Sequence, residues 1–361
     1  MSWYFTSEVE SAGFSARDAG GKARSDVNAL LERFGLRRLP VEVIADRESG
    51  SALKKLSDHR VALGHWLDAV GALHEGDGLV MQFPAVSHTV LFGKVVSVLK
   101  SRGVRLVLLI HDLESLRMAM APNVSTLGRK RVDMEESAAI SYASAIVVHN
   151  DHMGKVVAEQ FGYPRDRLVS LGLFDYLIPG FEDGPSRFDD NAVVVAGNLS
   201  PEKAGYLYDL PSDVSFNLYG MNYSPDERPG NVSYHGSFPS EELPMAMRGR
   251  FGLVWDGPSA ATCEGVYGEY LRINNPHKTS LYLASGFPVA VWGESAVADV
   301  VRKEGAGICV DSLSELAGAM ASVSPSRYEQ MRGRAAALGK RLREGGFTRA
   351  AVQRATAIAQ R

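Results

Sequence analysis

The chain has 361 residues, of which 45% are hydrophobic and 22% charged, and its formal net charge is −3. This length exceeds the size at which a single hydrophobic core normally stops growing, so we expect two domains. The small net charge argues against a protein that binds nucleic acid through a strongly basic surface, and the composition excludes a disordered or fibrous class.

The cellular compartment is predicted from the cysteines and from the apolar runs. Cys263 and Cys309 suit a reducing compartment better than a disulfide framework. The first residues lack the basic region and apolar core of a signal peptide, and the longest apolar run, residues 106–110, is too short to cross a bilayer. We therefore expect a cytoplasmic protein that is soluble or peripheral at the inner face of the membrane.

In the first half of the chain, short β-branched runs alternate with helical patterns, as in parallel βαβ units. Strands are predicted at residues 3–6, 41–45, 79–83, 104–111, 145–149 and 168–173. Helices are predicted at residues 51–73, 89–102, 129–143 and 153–161.

A segment rich in glycine, proline and acidic residues, at 179–190, has the composition of an interdomain linker. A second α/β series follows, with strands at residues 192–196, 215–219, 232–235, 252–255, 288–292 and 307–310. The pattern predicts two Rossmann-like, doubly wound domains, residues 1–180 and 191–345, that face a cleft, and a terminal helix at 346–361. Ligands of such sheets bind at the carboxyl ends of the strands, where we sought candidate site residues.

The stretch from residue 268 to residue 292 predicts a loop, a helix, a turn and a strand. Asn275 can cap a helix that begins at Pro276, which places Lys278 in the first turn. A cation there opposes the helix dipole, but together with the helix amides and Arg272 it would suit a phosphate or diphosphate. A solvated lysine on an ordinary buried helix explains this stretch equally well.

Gly20, Gly21 and Lys22 form a second candidate, in the loop predicted between the first strand and the first helix. The two glycines would let the backbone approach a ligand closely. The stretch has neither the P-loop pattern nor the glycine pattern of dinucleotide-binding proteins, and a plain turn with a solvated lysine is the alternative.

Titratable and aromatic side chains follow two of the predicted strands. His111 and Asp112 come directly after the most apolar strand, where either could act as a general base towards an acceptor hydroxyl. Phe174, Asp175 and Tyr176 follow a later strand and combine rings with a carboxylate, which suits the binding of a sugar. The alternatives are a cap and a buried histidine for the first pair and core packing for the triplet.

Three further turns of the second half would reach the same edge of its sheet. They contain Asn198, Lys203, Tyr219 and Asp256. The pattern His149-x-x-His152 has a metal-binding spacing but no evident third ligand, and we interpret it as structural. The chain also has no Asp-x-Asp pattern, which would be expected of a metal-bound diphosphate site.

The motifs together resemble the bacterial glucosyltransferase 3 and β-1,6-galactofuranosyltransferase family, over nearly the whole chain. They are Ala19-Gly20-Gly21-Lys22-Ala23, Ile110-His111-Asp112, Phe174-Asp175-Tyr176, Val195-Ala196-Gly197-Asn198, Phe251-Gly252-Leu253-Val254-Trp255 and Asn274-x-x-x-Lys278-x-Ser280-x-Tyr282-Leu283-Ala284-x-Gly286-x-Pro288-Val289. The last motif is the specific one.

The resemblance implies a GT-B fold, a UDP-sugar held mainly by the C-terminal domain, an acceptor held mainly by the N-terminal one, and no metal or other cofactor. Lys278 and Arg272 stand where family members have basic residues near the UDP diphosphate, and Lys203 stands where streptococcal members have arginine. The predicted donor-binding residues are Gly20, Gly21, Lys22, Asn198, Lys203, Tyr219, Asp256, Tyr270, Arg272, Asn274 and Lys278. The predicted acceptor residues are Phe174, Asp175 and Tyr176, and the predicted catalytic residues are Asp112 and His111.

The implied reaction moves glucose, galactose or galactofuranose to a hydroxyl of a glycan, in glycoprotein or cell-surface polysaccharide biosynthesis, with inversion. Asp112 is the first candidate for the base, and Lys278→Ala is expected to abolish transfer without harming the fold. The sequence leaves open whether the acceptor is linked to a lipid. The resemblance suggests a homo-oligomer. Two alternatives are a non-catalytic partner subunit of the same fold and a sugar-nucleotide epimerase.

A basic cluster near the end of the chain could face an anionic membrane, or could be an ordinary solvated helix face. It consists of Arg332, Arg334, Lys340, Arg341 and Arg343.

Overall fold

The computed structural model describes residues 2–10, 19–44, 52–86, 91–120, 126–182, 184–188, 191–224 and 229–361. Two units are present. Unit 1 comprises residues 1–15, 27–171 and 348–361, and unit 2 comprises residues 16–26 and 172–347. The first turns of the first helix are thus grouped with unit 2, and the last helix is grouped with unit 1.

Unit 1 contains, in its described residues, a six-stranded sheet with the order β2-β1-β3-β4-β5-β6, and its strands are parallel. The strands are β1 (Trp3–Glu10), β2 (Arg37–Val43), β3 (Gly78–Phe83), β4 (Arg105–Ile110), β5 (Ala145–Val148) and β6 (Leu168–Ser170). The helices are α1 (Ala19–Arg33), α2 (Ala52–Gly71), α3 (Phe92–Ser101), α4 (Glu114–Met120), α5 (Thr126–Tyr142), α6 (Asp151–Phe161) and, at the end of the chain, α14 (Gly346–Ala359). The central strands β3 and β4 are almost wholly buried, as expected when helices cover both faces of a parallel sheet.

Unit 2 repeats this architecture, again with a six-stranded parallel sheet in the described residues, in the order β12-β11-β10-β7-β8-β9. The strands are β7 (Val193–Asn198), β8 (Phe216–Met221), β9 (Val232–Tyr234), β10 (Phe251–Val254), β11 (Val289–Trp292) and β12 (Gly307–Val310). The helices are α7 (Pro201–Ala204), α8 (Leu243–Ala246), α9 (Gly265–Tyr270), α10 (His277–Ala284), α11 (Ala296–Glu304), α12 (Leu316–Ala321) and α13 (Pro325–Arg343). From the neighbouring strands β10 and β7 the strand numbers increase towards both edges of the sheet, so the strand order changes direction between these two strands. Ligands of doubly wound sheets bind at such a point.

Each strand predicted from the sequence has a counterpart among the described residues, so the prediction of two Rossmann-like sheets is confirmed. The bounds differ most at β2, which begins at Arg37 and includes Pro40. An edge strand tolerates proline because its outward N–H needs no partner in the sheet. The short helices α4, α7 and α9 were not predicted, because each spans less than two turns and shows little periodicity.

Helix α10 is fixed on the sheet of unit 2 by one aromatic side chain. The ring of Tyr282 lies on Gly252 of β10, where a Cβ atom would come within 2.2 Å of Tyr282 Cγ. The Tyr282 hydroxyl accepts a hydrogen bond of 2.7 Å from the backbone N–H of Ala196 in β7. These contacts place the start of α10 relative to β7 and β10, the two strands at the reversal.

In the part of the chain that the structure describes, no helix combines the length and the apolar character needed to span a membrane.

Candidate functional site

Lys278 lies in the first turn of α10, and its ammonium group contacts the residues that follow β10. Nζ donates hydrogen bonds to Asp256 Oδ1 at 2.8 Å and to the Trp255 carbonyl at 3.0 Å. Only 14% of the Lys278 side chain and 7% of the Asp256 side chain are exposed. Burial lowers the pKa of Lys278, and the charge of Asp256 opposes that change. Lys278 is therefore one half of a buried ion pair, and these contacts use two of its three N–H donors.

The start of α10 differs in one detail from the prediction, because Asn275 does not cap it. Pro276 is the N-cap residue and His277 is the first helical residue. The Asn275 side-chain amide donates instead to the Gly172 carbonyl. Asn275 is buried, so its amide group needs a partner, and the one it finds comes from a distant segment of unit 2.

Three residues close to Lys278 in the sequence have buried polar atoms without a hydrogen-bond partner in the described residues. These atoms are Asn274 Oδ1, His277 Nε2 and Thr279 Oγ1. Burial lowers the pKa of His277 to about 4, with the charge of Lys22 acting in the same direction, so this ring is neutral at physiological pH. Since buried polar groups are nearly always paired, each of these atoms would gain from a hydrogen bond to water or to a polar ligand.

Arg272, the second predicted diphosphate residue, is held by two carboxylates. Its Nε atom donates to Glu269 Oε2 at 2.8 Å, and its Nη1 atom donates to Glu294 Oε2. The guanidinium carbon lies 4.4 Å from the centre of the Trp292 ring. Arg272 is half-exposed and its charge is balanced, so an anionic ligand would have to compete with both carboxylates.

Lys203 is a second cation close to the Lys278–Asp256 pair. Its carbonyl accepts a hydrogen bond of 2.8 Å from Gly257 N, the residue after Asp256. Its ammonium group lies 5.6 Å from the centre of the Tyr267 ring, and its charge contributes to the lowered pKa of Lys278. The structure therefore brings Lys203, Asp256 and Lys278 together at the carboxyl edge of the sheet.

The remaining donor candidates of unit 2 have different surroundings. Asn198 is exposed at the end of β7, and its Oδ1 atom accepts from Asn222 Nδ2 at 2.9 Å. Tyr219 is buried in β8, where its ring stacks on His235 at 4.7 Å and its hydroxyl accepts from Arg248 N at 3.1 Å. Tyr270 is the buried last residue of α9, and its carbonyl accepts from Asn274 N at 3.0 Å. Tyr270 and Asn274 thus shape the turn that leads to Lys278.

Gly20, Gly21 and Lys22 lie in the first turn of α1, which corrects the predicted loop at these residues. Lys22 is buried and donates to Asp26 Oδ1 at 2.5 Å and to the Leu177 carbonyl at 2.8 Å. Its ammonium group also lies 5.0 Å from the centre of the Tyr176 ring. These partners join the beginning of α1 to the segment around residue 177 in unit 2. The residues before Ala19, from 11 to 18, lie outside the described residues.

Phe174, Asp175 and Tyr176 are buried within unit 2. Asp175 Oδ1 accepts from Phe347 N at 3.2 Å, and the Tyr176 hydroxyl donates to the Ser240 carbonyl at 3.0 Å. The Tyr176 ring stacks on His277, with their centres 4.9 Å apart. The triplet is packed behind the start of α10, and its predicted contact with an acceptor sugar stays a prediction.

His111 and Asp112 follow β4 in unit 1, as predicted. His111 Nε2 lies 2.7 Å from Gln82 Oε1. Asp112 Oδ2 lies 3.5 Å from Arg117 Nη1 of α4, in a half-exposed ion pair. Gln82 was missed as a candidate, although its sequence signal is visible: it is the one polar side chain inside the apolar β3 strand.

His149 follows β5, and His152 lies in the first turn of α6. Among the residues that the structure describes, no group of three or more His, Cys, Asp or Glu side chains could hold a metal ion. His149 is buried, and this burial lowers its pKa to about 4 while the charge of Asp112 opposes the shift.

Two sequence profiles match the chain. The profile of the "Glucosyltransferase 3-like, N-terminal domain" matches residues 5–173, and that of the "Glucosyltransferase 3-like, C-terminal domain" matches residues 193–355. The chain is 30% identical over 353 residues to the β-1,6-galactofuranosyltransferase WbbI of Escherichia coli K12, covering 96% of each chain. It is 27% identical over 350 residues to glucosyltransferase 3 of Streptococcus gordonii, covering 93% of this chain and 94% of that protein.

Solved structures also resemble the chain. The sucrose-phosphate synthase of Thermosynechococcus elongatus matches with a TM-score of 0.59 at 15% identity, over 99% of this chain and 96% of that one. WaaG, a glycosyltransferase involved in lipopolysaccharide biosynthesis, matches with a TM-score of 0.52 at 12% identity, over 96% of this chain and 98% of that one. Likeness at this level concerns the fold alone, and with the two parallel sheets it confirms the predicted GT-B class.

Proposed function

Because the chain belongs to the glucosyltransferase 3-like family of glycosyltransferases, we propose that it transfers a hexose from a UDP-sugar to a hydroxyl group of a glycan. The names of its relatives include a galactofuranosyltransferase and a glucosyltransferase, so glucose, galactose and galactofuranose are the sugars to test. The acceptor glycan belongs to a glycoprotein or to a cell-surface polysaccharide in this proposal.

The observation that carries the donor proposal is the buried Lys278–Asp256 pair at the start of α10. Asp256 holds the Lys278 ammonium group in place, and the third N–H donor of Lys278 can donate to a diphosphate oxygen. The first-turn N–H groups of α10 and its dipole also favour an anion at this end of the helix. Asn274 Oδ1, His277 Nε2 and Thr279 Oγ1 are polar atoms that such a ligand or its water could satisfy.

In the proposed reaction, the sugar leaves UDP while negative charge grows on the diphosphate. Lys278 and the helix amides stabilise that charge without a metal ion, and each such donor is typically worth about 3–4 kcal/mol of the barrier. Arg272 contributes less than Lys278, because Glu269 and Glu294 already balance its charge. The His111–Asp112 pair of unit 1 supplies the base that deprotonates the acceptor hydroxyl, and attack from the opposite side inverts the anomeric carbon.

Three further points of the proposal come from the sequence alone. They are contact with the inner face of the membrane, a lipid-linked acceptor and assembly into a homo-oligomer. The basic cluster of α13 supports the membrane contact weakly, because each of its side chains has an intramolecular partner. Arg332 pairs with Glu329, Lys340 with Glu344 and Arg334 with the Glu304 carbonyl, while Arg341 and Arg343 lie on the rings of Phe347 and Phe181.

The first prediction concerns Lys278→Ala. We expect turnover to fall at least a hundredfold, because the developing diphosphate charge loses its closest cation. The variant will also be less stable, by roughly 3–5 kcal/mol, since Asp256 is left as a buried charge without its partner. The expectation from the sequence, that the substitution leaves the fold intact, did not take the ion pair with Asp256 into account. Steady-state transfer and urea unfolding measure the two effects.

The matched control is the double variant Lys278→Ala with Asp256→Asn, which removes both charges. It should recover most of the lost stability while transfer stays low. Recovery of transfer together with stability would mean that Lys278 has only a structural role, and the diphosphate assignment would be wrong.

Incubation with UDP-sugar alone and with acceptor separates the proposed function from its two alternatives. Transfer to acceptor in EDTA supports a metal-independent transferase, and loss of transfer in EDTA contradicts metal independence. Isomerisation of the donor without acceptor would identify an epimerase. Binding of glycan without turnover of any UDP-sugar would identify a non-catalytic partner subunit.

A further inference from the structure

Three arginine side chains line a cleft at the amino-terminal end of the unit 1 sheet. Arg33 is the last residue of α1, Arg37 is the first residue of β2, and Arg349 lies in the first turn of α14. The cleft has a volume of about 660 Å³, and all of its lining residues belong to unit 1. It contains none of the residues assigned to the proposed transfer reaction.

The cleft is built from both ends of the chain. The turn between α1 and β2 forms one wall, and a hydrogen bond of 3.0 Å from Leu36 N to the Leu31 carbonyl closes this turn. Trp3, at the start of β1, packs its ring closely against Gly78. The other wall is one face of α14, whose residues recur at helical spacing. They are Arg349, Val352, Gln353 and Thr356.

The three guanidinium groups keep their N–H donors available. All three side chains are exposed, and with the residues that the structure describes they form no ion pair and no hydrogen bond. The guanidinium carbon of Arg349 lies 4.8 Å from the centre of the Phe34 ring, and that of Arg37 lies 5.9 Å from the centre of the Tyr4 ring. A guanidinium group that faces a ring in this way still presents the N–H donors on its edge to another partner.

The charges at the cleft favour an anion. None of its described lining residues is an aspartate or a glutamate. Two carboxylates that adjoin lining residues already have partners: Glu32 pairs with Arg38 at 3.0 Å, and Asp77 accepts from Ser2 N at 2.9 Å. Like charges that lie close together repel, so an anion between the arginines would relieve this cost. Guanidinium groups match the oxygens of a phosphate particularly well, because they can donate two parallel hydrogen bonds.

The size of the cleft indicates a ligand larger than a bare ion. Its volume of about 660 Å³ lies within the range of pockets that hold small organic molecules. The rings of Trp3 and Phe34 and the side chain of Leu36 supply apolar surface, and Gln353 adds an exposed amide. This combination suits a phosphate group that is attached to a small organic group.

We propose that this cleft is a second ligand site, which binds the phosphate of an organic phosphate ester. The ester is either a free sugar or glycerol phosphate or the head group of an anionic lipid, since the phosphate chemistry is the same in both. Arg33, Arg37 and Arg349 donate to the phosphate oxygens, and the organic group packs against Trp3 and Phe34.

This site is separate from the carboxyl edge of the same sheet, where His111 and Asp112 lie. Strand β1 has eight residues, so the cleft lies about 25 Å from that edge. Binding here involves no bond-making step, and the proposal does not require the chain to be a transferase. If transfer is observed, removal of the three arginines should leave the turnover of a soluble acceptor unchanged.

The test is calorimetric titration of the full chain with glycerol 3-phosphate and glucose 6-phosphate, in excess UDP so that the proposed donor site is filled. Both esters should bind, and glucose should not. The triple variant Arg33→Gln, Arg37→Gln and Arg349→Gln should weaken binding at least about tenfold, because charge-assisted hydrogen bonds are lost. Equal binding of glucose and its phosphate would overturn the proposal.

A matched triple variant controls for the change in net charge. Arg60→Gln, Arg165→Gln and Arg354→Gln remove three exposed arginines of unit 1 that do not line the cleft. This variant should bind the esters within about twofold of the wild type, since exposed charges at a distance are screened. Equal weakening by the two triple variants would reveal only a general effect of charge and refute the site. Arg349→Gln alone should weaken binding to a smaller extent than the cleft triple variant.

A vesicle arm distinguishes the two sources of phosphate. The full chain is sedimented with phosphatidylcholine vesicles that contain or lack phosphatidylglycerol. Binding of the free esters assigns a soluble ligand, whereas binding only to phosphatidylglycerol vesicles, lost in the cleft triple variant, assigns a lipid head group. A wild-type chain that binds neither the esters nor these vesicles would overturn the proposal.

Hydrogen exchange followed by mass spectrometry locates the bound ester or vesicle. Exchange should slow in residues 2–4, 33–37 and 349–356, which form the cleft. Slower exchange only in unit 2 would place the ligand elsewhere and contradict the proposal. Because this readout needs no turnover, a chain that transfers no sugar but shows protection at the cleft would contradict the proposed function and leave this site standing.

Discussion

Two ion pairs in unit 2 are buried or nearly so. Lys278 is paired with Asp256, and Lys22 is paired with Asp26. Burial raises the pKa of Asp26, while the charge of Lys22 opposes that rise. Such pairs add little net stability, but removing one partner leaves the other as an uncompensated charge. Variants that remove a single member therefore need the double variant as a control.

Glu136 in unit 1 is a buried carboxyl group that forms no ion pair with the described residues. Its oxygens accept from the Ser115 hydroxyl and from Ser115 N, the latter at 3.2 Å. Burial raises its pKa to about 7 from an ordinary value of 4.5, and the charge of Glu114 adds to the rise. The folded chain therefore binds this proton more tightly than the unfolded chain does.

This difference predicts a fall in the free energy of unfolding between pH 4.5 and 7. Below pH 4.5 the Glu136 carboxyl group is protonated in both the folded and the unfolded chain. As the pH rises, the group ionises first in the unfolded chain, and this ionisation stabilises the unfolded state relative to the folded state. The loss from this group is about 3 kcal/mol at most. Glu136→Gln should lack this part of the pH dependence in urea unfolding, whereas Glu344→Gln, an exposed control, should keep it. Equal pH dependence in wild type and Glu136→Gln would contradict the assigned pKa.

At the scale of elements, the position of α10 on its sheet places the residues of the proposed donor site. Gly252 leaves room for the Tyr282 ring, and the Tyr282 hydroxyl is held by Ala196 N. Gly252 and Tyr282 both belong to motifs that carry the family resemblance. Gly252 has only a hydrogen atom as its side chain, and nothing larger fits under the Tyr282 ring. This contact explains why glycine and tyrosine suit these two positions.

Gly252→Ala tests this contact. The added methyl group would meet the Tyr282 ring, so we expect a loss of roughly 1–3 kcal/mol in the free energy of unfolding and weaker UDP binding as α10 is displaced. Urea unfolding and calorimetric titration with UDP measure these effects. Gly318→Ala in α12 is the control, because a Cβ atom there meets nothing within 4 Å. Unchanged stability and UDP affinity in Gly252→Ala would show that α10 has another anchor.

At the scale of the whole molecule, neither unit is continuous in sequence. Unit 2 includes residues 16–26 in addition to 172–347, and unit 1 ends with residues 348–361. Helix α14 buries Ala351, Val352 and Ala355. The end of the chain is therefore part of the core of unit 1, although the sequence before it builds unit 2.

Removal of residues 348–361 should consequently destabilise unit 1. The lost burial of three apolar side chains corresponds to on the order of 4 kcal/mol. Hydrogen exchange followed by mass spectrometry should show faster exchange in β1 to β6 and little change in β7 to β12. Removal of Gln360 and Arg361 alone, which are exposed, is the control. Faster exchange confined to unit 2 would contradict this assignment of α14.

The sequence by itself determined the two sheets, each strand's approximate place and the positions of Lys278 and His111 relative to their strands and helices. Apolar periodicity, β-branched runs and the glycine and proline turns are local signals, so they can be read without the fold. The family motifs are also local. For the same reason, the short helices and the first turn of α1, which have weak local signals, were predicted least well.

Only the tertiary structure decided which polar groups are partners. Lys278 is held by Asp256, Asn275 by Gly172 and His111 by Gln82, and in each pair the residues are brought together by different segments. A buried polar group takes the nearest acceptor or donor that folding provides, and the spacing of residues along the chain does not encode that choice. The sequence could therefore indicate candidate residues for the site, whereas their pairing and orientation follow from the fold.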